Sequence, residues 1–178
     1  MRIISGKLKG RRLMAPKNLP VRPTTDMAKE ALFNILENRY YLDELEVLDL
    51  FSGTGNIAFE FASRGCTDIT AVDRHYPCIK FINEVSLEFD LGIKTIKADV
   101  FAFLDALNKQ RYDIIFADPP YDIDLSHFER LVTSIRDKQL LSEEGLCIVE
   151  HSKHTSLSHV EGFQMQKKYG GNCFSFFK

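Results

Sequence analysis

A chain of 178 residues with 44% hydrophobic and 27% charged positions has the proportions of one soluble globular domain. It is long enough to bury roughly 70% of its unfolded surface without a disulfide or metal staple. The four cysteines, at positions 66, 78, 147 and 173, never reach a C-x-x-C spacing. That disfavours a zinc ribbon or a dithiol motif and points to free thiols in a reducing compartment. The amino-terminal "MRIISGKLKGRRLMAP" lacks the apolar stretch of a signal peptide, and no later run reaches the length of a membrane span, so a cytoplasmic protein is expected.

The net charge is only −2, yet residues 1–25 hold seven basic side chains and no acid, which leaves −9 on the remainder. A basic arm on an acidic body suits a nucleic-acid partner, because phosphate contacts draw affinity from counterion release. The charge alone equally fits a solvated terminal hairpin. We expect one domain over 1–178, with 1–22 as a basic extension.

In chain order, "RIISGKLKGRRLMAP" alternates weakly around Gly6 and Gly10 and predicts a short hairpin. "RPTTDMAKEALFNILENRYY" predicts a helix capped by Thr24, Thr25 or Asp26, with Ala28, Ala31, Leu32, Ile35 and Leu36 at helical spacing. "EVLDLF" is a buried strand, "NIAFEFASRG" a helix, "DITAVD" a second strand, and "PCIKFINEVSLEFDLG" a helix with Pro77 near its start and Gly92 as its stop. There follow "IKTIKAD", a helix over about 100–109, the strand "YDIIFA", a helix over about 126–140, and "GLCIVEH". Alternating strands and helices of this length predict parallel pairing through right-handed crossovers. The closing "FQMQKKYGGNCFSFFK" turns at two glycines and can add only antiparallel strands at an edge. The fold expected is a doubly wound α/β sheet of seven mostly parallel strands with an antiparallel carboxyl-terminal hairpin. "HSKHTSLSH" matches no zinc spacing and is expected to be a solvated loop, without metal.

In such sheets ligands bind beyond the carboxyl ends of the strands. Asp49, Asp73, Asp99 and Asp118 fall at four such ends. Gly53, Gly55 and Ala58, in "DLFSGTGNIAFE", satisfy the G-x-G-x-x-A pattern of dinucleotide sites. A pyrophosphate, however, wants a helix end without an anion nearby, whereas a sulfonium carrying an ammonium group gains from carboxylates. Asp49 beside the loop and Asp118 on the neighbouring strand end therefore favour S-adenosylmethionine over a nicotinamide cofactor. Each acid has a plainer reading: Asp49 and Asp99 as helix caps, Asp73 as a turn former. In "DPPY", residues 118–121, two prolines stiffen the loop and hold its carboxylate and aromatic ring in place.

"DLFSGTG", "AVDR", "KAD" and "DPPY", in that order and spacing, resemble the class I S-adenosylmethionine-dependent methyltransferases that modify amino groups. "MRIISGKLKGRRL" with "RPTTDMAKEALFNIL" is similar to the RsmD family, which methylates N2 of a guanine in small-subunit ribosomal RNA. The resemblance implies that Asp49, Phe51, Gly53 and Gly55 line the methionine end of the cofactor, that Asp73 holds the ribose, and that Asp99 and Val100 hold the adenine. It implies that Asp118, Pro119 and Tyr121 meet the target base, and that Arg22, Thr24 and Thr25 belong to a segment closing over the pocket. The partner implied is ribosomal RNA or the small-subunit particle, with Lys7, Lys9, Arg11, Arg12 and Arg22 as candidate phosphate contacts. Neither a membrane nor a metal is implied, and nothing in the sequence sets an oligomeric state. The alternatives are an amino methyltransferase of DNA (adenine N6 or cytosine N4) or of another RNA base, a nicotinamide oxidoreductase, and a non-catalytic RNA-binding module. Replacing Lys9, Arg11 and Arg12 together is expected to weaken RNA binding and flatten its salt dependence; unchanged affinity and slope would make the arm purely structural.

Overall fold

A computed structural model describes residues 1–16, 19, 24–108, 110–120 and 123–178. Seven strands form one sheet: β1 (Glu46–Leu50), β2 (Asp68–Asp73), β3 (Lys94–Lys97), β4 (Tyr112–Ala117), β5 (Leu141–Ser152), β6 (Phe163–Tyr169) and β7 (Asn172–Phe177). Their order is β3-β2-β1-β4-β5-β7-β6. The first five are parallel, and β7 pairs antiparallel with both β5 and β6. The expected doubly wound sheet with its antiparallel edge is thus observed. Among the described residues no helix is long and apolar enough to cross a membrane.

The five α-helices are α1 (Asp26–Glu37), α2 (Asn56–Ser63), α3 (Tyr76–Glu88), α4 (Val100–Ala106) and α5 (Leu125–Asp137). Alternation along each strand divides the core in two. Val47, Ile114, Phe116, Ile148, Phe174 and Phe176 pack with α1, α2 and α3 on one face. Leu48, Leu50, Ile115, Val149 and Phe177 pack with α4 and α5 on the other. The closing phenylalanines thus fall on opposite faces, as strand geometry requires. All four cysteines are free and buried.

Several boundaries move for local reasons. The first helix stops at Glu37, where Asn38 caps it, short of the two tyrosines. β5 begins at Leu141 rather than Gly145, because the pairing of β4 with β5 shifts register between Tyr112 and Ile114. A side chain at Gly145 would stand 2.9 Å from both Ser142 N and Tyr112 O. His151, expected in a solvated loop, is a buried β5 residue bonded through Nε2 to Ser175 Oγ at 2.8 Å.

The expected amino-terminal hairpin is present as a short antiparallel pairing: Arg2 bridges Arg12, Ile3 N donates to Arg11 O at 3.0 Å, and Leu13 N donates to Met1 O at 2.9 Å. Backbone groups in and beside its turn go to α2, since each must find a partner somewhere. Ile4 N and Ser5 N donate to the two oxygens of Glu60, at 2.9 and 3.0 Å, and Lys7 N donates to Ser63 O at 2.7 Å. Gly6 makes this contact possible: at φ 80° an added Cβ would lie 1.8 Å from Ser63 O. Beneath the arm, Lys29 and Glu60 form an ion pair at 3.1 Å with both side chains fully buried. Lys29 Nζ also donates to Arg2 O at 2.7 Å and to Asn56 Oδ1 at 2.8 Å. Burial lowers the Lys29 ammonium's pKa, and the Glu60 charge opposes that shift. Lys29→Ala is expected to lower stability by about 3–5 kcal/mol in urea unfolding, the cost of leaving one member of a buried pair unmatched.

Candidate active site

The carboxyl ends of β1, β2 and β4, with the segments that follow them, enclose a cavity of about 830 Å³. The loop after β1 turns sharply into α2: Phe51, Gly53 and Gly55 all have left-handed backbones, with φ of 56°, 52° and 77°. For Phe51 that conformation carries strain, which recurs where a chain must present groups to a ligand.

Asp49, Phe51, Gly53, Asp73, Asp99, Val100, Asp118 and Pro119 all border the cavity, so the structure brings these sequence-selected positions together. Gly55 is absent from its lining. It is the residue preceding α2, and an added Cβ would meet Ile82 and Phe59 at 2.9 and 3.0 Å, so its smallness serves helix packing. Tyr121 and Arg22 lie outside the described residues. Lys7, Lys9, Arg11 and Arg12 are exposed on the arm. Lys7 Nζ reaches Asp90 O at 3.4 Å, and the Arg11 guanidinium lies 4.5 Å from the Phe89 ring centre. Phe89 and Asp90 follow the end of α3, at the rim of the sheet opposite the cavity. Thr24 lines the cavity, while Thr25 caps α1 by accepting from Ala28 N at 3.2 Å.

Three aspartates also serve the backbone, as their plainer readings hold. Asp49 Oδ2 accepts from Ala58 N at 3.2 Å in the first turn of α2. Asp73 accepts from Gly53 N and His75 N, both at 2.8 Å, and so fixes the glycine loop against β2. Asp99 Oδ1 caps α4 through Phe101 N and Ala102 N. A carboxylate has about four acceptor positions, so capping and ligand binding are compatible.

Burial changes the charge expected of this rim. It pushes the Asp49 carboxyl up to about 8, opposed by the Ala58 amide and reinforced by Asp73. Burial first, then Glu150, then Asp49 raise the half-buried Asp118 well above the ordinary carboxylate range. At neutral pH Asp49 is therefore poised to ionise beside a cation rather than standing as a fixed anion. Sequence reasoning missed Glu150. It is buried, and it accepts from Thr24 Oγ1 and Asn172 Nδ2, each at 2.6 Å. Its signal was present in "GLCIVEH", a strand end carrying an acid.

The site fits a cationic sulfonium cofactor on one further observation. Among the described residues Ser52 Oγ is buried without a hydrogen-bond partner, and Ser52 lines the cavity between Phe51 and Gly53. Such a hydroxyl is costly unless a ligand group satisfies it.

A family profile described as "Conserved hypothetical protein 95" matches residues 1–178. The chain belongs to that family, the RsmD family. Among its relatives is the "Putative rRNA methyltransferase YlbH" of Bacillus subtilis, 36% identical over 166 residues that cover 91% of this chain and 88% of the relative. "Ribosomal RNA small subunit methyltransferase D" of Escherichia coli is 30% identical over 168 residues, covering 90% and 79%. Among solved structures, "Putative methyltransferase yhhF from Escherichia coli" superposes with a TM-score of 0.85 at 27% identity, covering 99% of this chain and 96% of that one. The Thermus thermophilus 16S rRNA N2 methyltransferase RsmC, solved with AdoMet and guanosine, shares the fold with a TM-score of 0.71 at 19% identity, over 90% of this chain and 45% of that one. The fold is that of the class I methyltransferases.

S-adenosylmethionine affinity is expected to rise with pH up to about 8, the value of Asp49. A cation favours the ionised carboxyl, so binding below that pH releases a proton and weakens by up to about tenfold per pH unit. Calorimetric titration in buffers of different ionisation enthalpy measures the proton count; an affinity flat from pH 6 to about 8 would contradict the role given to Asp49.

Proposed function

We propose that this protein transfers a methyl group from S-adenosylmethionine to the exocyclic N2 amine of a guanine in small-subunit ribosomal RNA. The observation that carries this reading is the placement of Asp49 and Asp118 in one cavity at the ends of adjacent strands, staggered by two residues, with Pro119 fixing the loop that follows. Support also comes from the names of the family's relatives, which are ribosomal RNA methyltransferases, and from a fold neighbour that holds guanosine.

When bound, S-adenosylmethionine supplies a methyl group on a cationic sulfur, already activated for transfer. In this assignment Asp49, Phe51, Ser52 and Gly53 surround its methionine end, Asp73 takes the ribose hydroxyls, and Asp99 and Val100 take the adenine. The cavity volume, about 830 Å³, is within the range of cofactor sites.

A guanine N2 amine is a poor nucleophile, because its lone pair is shared with the ring. The Asp118 carboxylate and the Pro119 carbonyl accept hydrogen bonds from its two N–H groups, drawing the nitrogen toward tetrahedral geometry and directing the lone pair at the methyl carbon. Alignment then supplies most of the rate; holding reacting groups in place can lower a barrier by roughly 7–11 kcal/mol. The alkylated nitrogen is acidic and gives up a proton to the site.

Asp118→Asn is expected to keep the fold and cofactor affinity while lowering methyl transfer by about 10²-fold or more, the usual contribution of a positioned acid or base. Incubation of small-subunit RNA and particles with labelled S-adenosylmethionine, followed by nucleoside mass analysis, should yield N2-methylguanosine. A methylated adenine or cytosine product would overturn the choice of base.

A further inference from the structure

Behind the cavity lining stands a buried carboxylate, Glu150, that the reading above leaves without a task. Register pairs Ala117 of β4 with Val149 of β5, so the next residues, Asp118 and Glu150, stand side by side on neighbouring strands. Phe116 and Ile148 both pack in the core beneath α1, α2 and α3. Two residues further along each strand, alternation turns Asp118 and Glu150 to that same face. Asp49, two residues after Val47, shares it. Three acids thus form a staggered row across β1, β4 and β5, with Asp49 level with Phe116, two residues before Asp118.

Glu150 is only 2% exposed. Thr24 Oγ1, just before α1, donates to its Oε2, and Asn172 Nδ2, at the start of β7, donates to its Oε1, each at 2.6 Å. A carboxylate can only accept, and donors on both oxygens suit its ionised form. These donors come from positions 126 and 22 residues away, so the fold closes on Glu150 from two separate elements.

We propose that Glu150 is a positioning residue that holds a negative charge beside Asp118 and so makes Asp118, rather than water, the acceptor of the proton released by the methylated amine. This rests on the assignment of Asp118 to the target amine. After the N–C bond forms, the nitrogen carries two hydrogens and a positive charge. One N–H bond breaks, its electron pair stays on nitrogen, and the proton bonds to an Asp118 oxygen. The products are a neutral secondary amine and a neutral carboxylic acid.

Among the described residues, the charged and titratable groups acting on Asp118 are Glu150 from β5 and Asp49 from β1; Asp73, Arg74, His75, Asp99 and His127 border the same cavity. Of the charges, Glu150 does most to raise the proton affinity of Asp118, ahead of Asp49. A more basic carboxylate is the stronger acceptor.

The test is carboxyl ¹³C NMR titration of the full chain labelled at aspartate, with the Asp118 resonance assigned by its loss in Asp118→Asn. In Glu150→Gln, whose fold is checked by thermal melting, the Asp118 midpoint is expected to fall by about one pH unit or more. The acidic limb of kcat, measured at saturating cofactor and RNA, should move in the same direction, with KM for S-adenosylmethionine unchanged. Thr24→Val removes one donor to the Glu150 anion and should shift both in the same sense by less; it carries the test if Glu150→Gln does not fold. A midpoint and limb that stay fixed in these variants, with Asp118→Asn inactive, would overturn the role of Glu150 and leave Asp118 in place. A fully active Asp118→Asn would remove both assignments.

Discussion

Three carboxyl groups on three adjacent strand ends, sheltered from water on one face of the sheet, are the constraint to which the site is built. Like charges so confined cannot all ionise cheaply. The fold answers by giving each a different environment. Asp49 rests on the Ala58 amide and is pushed up to about 8. Glu150 takes a hydroxyl and an amide donor. Asp118, between them in strand order, is raised by burial and by both neighbours. Environments that push similar groups apart in proton affinity are how one site holds a cation and also handles a proton. The glycine loop and the double proline set the positions; the neighbours set the charge.

A second buried network keeps the front of α1 in register with that row. Lys29 joins α1 to α2 through Glu60 and Asn56, and to the arm through Arg2 O. Asn56 Nδ2 donates in turn to Thr24 O at 3.0 Å, and the Thr24 hydroxyl ends on Glu150. Buried ion pairs often add little net stability over well-packed apolar residues. What this pair does is geometric, since it fixes where Thr24 sits. The arm's backbone amides on Glu60 make the amino terminus part of the same assembly.

The sheet was legible because parallel strands buried on both faces read as continuous apolar runs, as in "YDIIFA" and "DITAVD". Strand-end aspartates flanking a glycine loop made the acidic part of the cavity lining legible too. Glu150 was passed over because it is one acid among many. Its meaning emerges only from alternation along β5 combined with the return of β7, which brings Asn172 alongside. Lys29 and Glu60 stand at no motif spacing from each other, and their pairing depends on how α1 packs against α2. A signal for Glu60 did exist: in "NIAFEFAS" it stands between Phe59 and Phe61 with Ile57 one turn before it, in a short helix with no other charge. The hairpin was legible from its two glycines, but weak alternation says nothing of the helix that takes up the amides of Ile4, Ser5 and Lys7.

The arm's course along α2 bears on the size of molecule the protein can grip. Asn56 borders the cavity and Ser63 ends the helix, a separation of roughly 10 Å at 1.5 Å per residue. Lys7 and Arg11 lie beyond that, over the far end of α3. A nucleotide seated in the cavity is therefore too short to touch them. Under the proposed function, only a polynucleotide wrapping the flank of the domain spans both ends, which would divide recognition of the target nucleotide from capture of the strand that carries it.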